Sequence, residues 1–405
     1  MSQHDLIIIG GGIAGSALAC VMAEAGKDVL VLEPQTAYVD RVRGEWIAPW
    51  GVAETQRVGL YDTLRAAGGH HLGRHITFDP SLGAQTVNSE ALPLSFLPGV
   101  PGPLCIGHPH HCETLITEAA RRGARVLRGA EVTTISPGAA PSVTYVEDGV
   151  ETTAHARLIV GADGRLSKTR EAAGIALHQD RPHHWFAGLL VDGTEAWPDD
   201  LQAIGTEGDF GFLVFPQGQG KARLYGGYPL DQKSRFVGEE GPRRFLDAFR
   251  TPHFTENNRI AAGAPAGPLF AYFNNDSWTD QPFAEGVVLV GDAAGWNDPI
   301  IGQGLSITYR DVRIVTELLK AGETDLRPYA EERAERMRRL RYAASMTSII
   351  DMEFGPEADA RRARHHASRA THPERHAYGF AVMAGPEMLP AEVFSDANRE
   401  ALRAS

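Results

Sequence analysis

Leu6-Ile7-Ile8-Ile9-Gly10-Gly11-Gly12-Ile13-Ala14-Gly15 is the stretch that decides the fold. Four consecutive apolar residues read as a parallel strand buried on both faces. Ser16 to Ala25, rich in Ala, Leu and Met, reads as a helix, and Gly26 closes it. Between them, Gly10-x-Gly12-x-x-Gly15 assigns each glycine a task. Gly10 makes the tight turn, Gly12 lets a pyrophosphate approach the backbone, and Gly15 lets helix and strand pack closely. The helix N-terminus then presents free N–H groups and a positive dipole end to the phosphates. Val29-Leu30-Val31-Leu32 reads as a second buried strand ending in Glu33, 18 residues beyond Gly15, placed to accept hydrogen bonds from a ribose. The unit is a dinucleotide-binding βαβ. The turn alone does not separate NAD from FAD.

Working outward, residues 112–122 read as a helix and Arg125-Val126-Leu127 as a strand. Arg157-Leu158-Ile159-Val160 and Val287-Val288-Leu289-Val290 read as further buried parallel strands, each followed by a Gly-Asp-bearing turn. From about 175 to 280 the texture changes. Runs such as Phe210-Gly211-Phe212-Leu213-Val214-Phe215 and Leu224-Tyr225-Gly226-Gly227-Tyr228 alternate with turns, as in an antiparallel sheet. Helical periodicity dominates from Ser306 on. The charged run 329–342 and the basic patch Arg361-Arg362-Ala363-Arg364-His365-His366 read as solvated helices with i,i+4 pairs.

The bulk numbers exclude several classes. The chain has 405 residues, long enough for two or three domains with a sizeable core. A net charge of −12 argues against a general polyanion binder. Three cysteines without CxxC spacing argue against a disulfide framework or structural zinc. No apolar run reaches the length of a membrane span and no leader is recognisable, so a cytoplasmic protein is expected.

Two segments settle the cofactor by resemblance. Leu158-Ile159-Val160-Gly161-Ala162-Asp163-Gly164-Arg165-Leu166-Ser167 resembles the "DG" motif of the group A FAD-dependent monooxygenases, the para-hydroxybenzoate hydroxylase-like family. Gly291-Asp292-Ala293-Ala294-Gly295-Trp296-Asn297-Asp298-Pro299-Ile300-Ile301-Gly302-Gln303-Gly304-Leu305-Ser306 resembles that family's "GD" motif, and Arg41-Val42-Arg43-Gly44 resembles its arginine-bearing loop. The motifs stand in the family's order, and the resemblance spans roughly residues 4–330.

The resemblance implies an α/β fold. A Rossmann-type FAD-binding domain with a parallel sheet would be discontinuous over 1–75, 100–173 and 282–330. An antiparallel β-sheet substrate domain would occupy 76–99 and 174–281, and a C-terminal helical segment covering the FAD domain 331–405. It implies that Gly10, Gly12, Ile13, Ala14, Gly15, Glu33 and Pro34 hold the ADP part of non-covalent FAD, with Arg41 and Arg43 along the ribityl and pyrophosphate region. Asp163 would serve FAD and NAD(P)H, Asp292 the ribityl chain, and Pro299 the reactive edge of the flavin. Gly302, Gln303, Gly304 and Leu305 would open a helix whose dipole favours the anionic reduced flavin. The resemblance also implies NADPH or NADH as a reductant that docks transiently, with which the lack of a second GxGxxG agrees. Oxygen insertion would proceed through a flavin C4a-hydroperoxide.

The expected partners are O2 and an apolar, aromatic small molecule, with no nucleic acid, in a monomer or homodimer. Trp46, Phe212, Phe215, Tyr225 and Trp296 are pocket candidates, although alternation turns about half of the sheet aromatics away. The family's His after Gly-Asp-Ala-Ala is Gly295 here, and its Asn after Gly-x-Gly-Leu is Ser306. Asp298-Pro299 also resembles flavin-dependent halogenases and geranylgeranyl reductases, which are the alternative readings. Residues 211–216 keep the reductases' Phe-Pro without their Tyr and Trp, and Trp46-Ile47-Ala48-Pro49 lacks the halogenase Trp spacing. The clusters His108/His110/His111 and His183/His184 read as packed or surface histidines rather than metal ligands. His70, His71 and His75, at the entry to the substrate sheet, read the same way, with a proton relay as the rarer alternative.

Overall fold

The computed structural model describes residues 3–42, 44–83 and 91–404. The chain opens with β1 (Gln3–Ile9), α1 (Ile13–Glu24) and β2 (Val29–Glu33). It continues through α2 (Pro49–Arg57), β3 (Arg74–Phe78), α3 (His108–Arg121), β4 (Arg125–Arg128) and β5 (Val150–Gly161). Next come β6 (His184–Asp192), β7 (Leu201–Glu207), β8 (Phe210–Gly218), β9 (Lys221–Tyr228) and β10 (Phe270–Asn274). After β11 (Val287–Leu289) the chain is helical: α4 (Gly304–Ala321), α5 (Arg327–Asp351), α6 (Pro356–Ala367) and α7 (Ala377–Ala384).

The apolar runs β11, β5, β1, β2 and β4 pair in that order, all parallel. They are buried on both faces because α1, α3 and α4 cover one side and the hairpin 131–147 folds under the other. Strand pairing brings Ile9 beside Gly161 and Gly161 beside Leu289, so the turns after β1, β5 and β11 share one carboxyl-terminal edge. Ligands of open α/β sheets bind at that edge.

The second sheet runs β6-β9-β8-β7-β3, antiparallel except for the parallel β3/β7 pair, with β10 on the outer side of β6. Its two faces differ. One packs Phe78, Phe210 and Phe212 against Phe245, Phe249 and Phe254, all fully buried, with ring centroids 4.7–6.5 Å apart. The other turns Phe186, Leu213, Phe215 and Tyr225 toward α5 and α7.

The C-terminal helices are placed differently from expectation. They do not lie only over the parallel sheet: α5 and α7 fill the angle between α2, the 299–301 turn and the second sheet. The charged run is not simply solvated either. Glu335 pairs with Arg338 and Arg339 at the surface, but Arg333 and Arg336 are 2% and 3% exposed and both bind Asp311 of α4, at 3.1 and 2.7 Å. Arg362 of the basic patch is also buried, paired with Asp79 at 2.7 Å. A periodic charged helix looks the same in sequence whether its arginines meet water or an internal acid. No helix among the described residues is long and apolar enough to cross a membrane.

Candidate active site

At the first turn, Gly10 has φ +100°, and a Cβ there would stand 2.5 Å from the Ala162 carbonyl oxygen. A Cβ on Gly15 would stand 1.9 Å from the Gly10 carbonyl oxygen, so α1 crosses β1 at a distance only glycine permits. A Cβ on Gly12 would meet nothing within 4 Å. Two of the glycines are therefore demanded by the protein's own packing, and the third faces open space. Glu33, 3% exposed, accepts the Gly11 amide at 2.7 Å and the Gln35 amide at 2.8 Å. Each carboxylate oxygen keeps a further lone pair.

Two loops stand opposite. Asp163 binds the chain itself: its carboxylate accepts Ser167 Oγ at 2.5 Å and both the amide and Oγ1 of Thr169 at 3.0 Å. The Asp292 carboxylate is a third exposed and is touched by Arg165 Nε at 3.3 Å. That Arg165 guanidinium lies 5.0 Å over the Trp296 ring. The loop carrying Asp292 is held from beneath. Arg333 donates to the carbonyls of Ala294 (2.9 Å), Gly295 (3.0 Å) and Gly291 (3.3 Å), and Arg170 donates to Ala293 (2.9 Å). Asp311 accepts the Gly291 amide at 2.9 Å.

Beyond Trp296 the chain makes one 3-10 turn, Pro299–Ile301, capped by Asp298, whose carboxylate accepts the Ile300 amide at 2.9 Å. Gly302 sits in the left-handed region at φ +64°, and a Cβ there would stand 2.9 Å from the Trp46 ring. Gln303 points inward: it accepts Trp50 Nε1 at 2.7 Å and donates to the Ile301 carbonyl at 2.6 Å. Gly304 opens α4 onto free space. These side chains fix the turn so that the α4 N-terminus faces the cavity.

One cavity of about 1330 Å³ joins these parts, above the usual range for a single small ligand. Its walls include Gly10, Gly12, Ile13, Ala14, Glu33, Pro34 and Arg41, then Asp163, Asp292, Pro299, Gly302, Gly304 and Leu305. Trp46, Phe215, Tyr225 and Trp296 line it as well. Gly15 and Gln303 support the walls from behind, and Arg43 lies outside the described residues. Phe212 is placed on the opposite face of the sheet, in the aromatic core, 1% exposed. Period two sends Leu213 and Phe215 to the cavity and Phe212 away from it.

The far half of the cavity also holds polar groups. Trp46 Nε1 donates to Gln202 Oε1 at 3.0 Å, so the Gln202 amide donates to His75 Nδ1 at 3.2 Å. That leaves Nε2–H of His75 for Thr77 Oγ1 at 3.1 Å. Burial lowers His75 to about 4, and the His75 ring stays neutral. From the C-terminal helices come Asp351, His365, Arg369, His376 and Tyr378. The Tyr378 hydroxyl lies 3.4 Å from His365 Nε2, and the His365 and His376 rings are 3.9 Å apart. Burial first, and then the charge of His376, lowers His365 to about 3; burial first, and then Arg369 and His366, lowers His376 to about 4. Burial raises Asp351 to about 7.

Open space at Gly12 and Gly304, with Glu33 and Asp292 between them, suits an extended dinucleotide whose phosphates meet one helix N-terminus and whose ring system meets the other. Compared with known proteins, residues 3–344 match the family described as FAD binding domain. The chain belongs to that family, whose members include group A flavoprotein monooxygenases, and it is an FAD-binding protein. It is 25% identical to mouse (Mus musculus) squalene monooxygenase over 335 residues, covering 79% of this chain and 55% of that one. It therefore spans little more than half of that relative. With aklavinone 12-hydroxylase DnrF of Streptomyces peucetius the identity is 28% over 371 residues, 82% of this chain and 71% of the relative. A solved ternary complex of aklavinone-11 hydroxylase with FAD and aklavinone superposes with a TM-score of 0.71 at 19% identity, covering 87% and 70% of the two chains. That level of likeness speaks for the fold.

Proposed function

We propose that the protein is a single-component FAD-dependent monooxygenase that takes electrons from NADPH or NADH and inserts one atom of O2 into an apolar, aromatic small molecule. One observation carries this reading: the FAD cradle and an aromatic compartment are two halves of a single cavity, and the Pro299–Gly304 turn is the boundary between them. Relatives named as hydroxylases of aklavinone and as squalene monooxygenases support it. Reduced FAD supplies the activated oxygen. The chain's own residues do the rest. Gly12, Glu33 and Asp292 hold the cofactor, and the α4 N-terminus offsets negative charge that develops at its ring. Pro299, Trp46, Phe215 and Tyr225 orient the acceptor and exclude water, which would otherwise discharge peroxide.

The halogenase alternative needs a lysine beside the acceptor. The one lysine among the described wall residues, Lys168, stands next to the Asp163 loop, in the cofactor half. The test is anaerobic stopped-flow at the flavin absorbance, followed by turnover in 18O2. Bleaching by NAD(P)H without a partner reductase, and a product heavier by one labelled oxygen, are expected. Bleaching that needs a separate flavin reductase, or product formed without O2, refutes the reading.

A further inference from the structure

The C-terminal end of α5 carries a carboxyl group that nothing above uses. Asp351 lines the far half of the cavity, half-buried, with its open side on the cavity. Its carbonyl oxygen accepts Thr206 Oγ1 of β7 at 2.9 Å, so the backbone is tied to the substrate sheet independently of the side chain. Its carboxylate has no hydrogen-bond or ion-pair partner among the described residues. The other wall carboxylates are in the cofactor half or already bound. Glu33 and Asp163 accept backbone and hydroxyl donors, Asp292 meets Arg165, and Glu45 is bound to the buried Arg223. The compartment mixes apolar walls, Ile204, Leu213, Phe215 and Met383, with the polar groups described above, none of which binds the Asp351 carboxylate. A carboxylate that opens onto the cavity and has no donor from the protein is available to accept one from a ligand.

We propose that Asp351 recognises the substrate, and that the substrate carries an O–H or N–H donor on its apolar, aromatic frame, delivered to this carboxylate. The inference rests on reading this compartment as the acceptor site. It adds what the apolar walls leave undetermined, a polar end that fixes which carbon is turned toward Pro299. The charged groups around Asp351 leave that role open. Arg362 and Asp79, which act on it with opposite sign, are paired with each other. Tyr378 is held well above its usual range by burial and then by Asp351 itself. His75, His365 and His376 stay neutral at and above pH 6, because burial holds them at about 4, 3 and 4, and burial likewise lowers His366. Arg369 acts electrostatically on the histidines and on Tyr378. Titration of Asp351 near 7 then strengthens acceptance of the donor as pH rises from 6 to 8.

The test is calorimetric titration of the FAD-loaded protein with 2-naphthol and with 2-methoxynaphthalene, in which a methyl on the oxygen removes the donor. At pH 8 the naphthol should bind about tenfold tighter, as a hydrogen bond to a charged acceptor allows. The preference should shrink at pH 6. Asp351→Asn preserves shape and should cut the preference to about threefold or less, and Asp351→Leu should abolish it, both with FAD binding retained. Equal binding of the two probes by the wild type, binding of neither, or a preference that survives both substitutions overturns the proposal. Because the measurement requires no turnover, it stands apart from the 18O2 experiment. Discrimination without oxygen insertion would remove the proposed reaction and leave the recognition intact.

Discussion

Gly12 and Gly15 belong to one turn, and the structure predicts opposite consequences for the same substitution. In Gly12→Ala the new methyl meets nothing within 4 Å, at an extended backbone (φ −69°, ψ −166°) that alanine adopts freely. The folded apoprotein should lose nothing. Restricting the unfolded chain should raise its stability by about 0.4–1 kcal/mol. The methyl fills space that the cofactor phosphates need, and FAD affinity should fall by at least about a hundredfold, close to 3 kcal/mol. In Gly15→Ala the methyl would stand 1.9 Å from the Gly10 carbonyl oxygen and 3.0 Å from Ile8 Cγ2. α1 must shift off β1, and overpacking of this kind costs about 1–3 kcal/mol whether or not FAD is present. Calorimetric melting of apoprotein, together with fluorescence titration of FAD, separates the two effects. A Gly12→Ala protein that binds FAD as tightly as wild type, or a Gly15→Ala apoprotein that melts with wild type, refutes the reasoning for that glycine.

Asp292→Ala should weaken FAD by about 1–3 kcal/mol through a lost charge-assisted hydrogen bond, read by the same titration; unchanged affinity would remove Asp292 from the cofactor. Arg333→Met strips donors from the carbonyls of Gly291, Ala294 and Gly295 and half-breaks a buried ion pair. It should cost about 3–5 kcal/mol in urea unfolding, and Arg333→Lys, lacking the fork, should recover only part. For Asp351 the folded pKa lies above the ordinary carboxylate value, so its contribution is most favourable below pH 4 and is lost as pH rises to 7. Asp351→Asn should flatten the stability profile in that window, and an unchanged difference from wild type between pH 4 and 8 would contradict it.

The cofactor half was legible because backbone geometry dictates residue type there. A strand, a left-handed turn and a close helix crossing leave only glycine at Gly10 and Gly15, and that constraint shows as letters. The supports behind the site were not legible in that way. Arg333 and Arg336 stand in a run where charge at every turn reads as a wet surface. Their signal was elsewhere, in Asp311, a lone acid on the apolar face of α4 between Tyr309 and Val312. Phe212 was misjudged for another reason. Alternation shows that neighbours diverge, but which of them faces the cavity is decided by what packs on each side. Asp351, His365 and Tyr378 come from helices whose return to the second sheet has no local sequence signature.

The two-faced sheet has a consequence for how such a protein can diversify. Phe210 and Phe212 anchor the domain through one surface, and Leu213, Phe215 and Tyr225 line the cavity through the other. Exchanges at the second set redraw the shape of the compartment while leaving the aromatic stack on the reverse side untouched. A lineage could therefore try new acceptors at adjacent positions of one strand with little loss of foldedness, because tolerance and constraint alternate along β8.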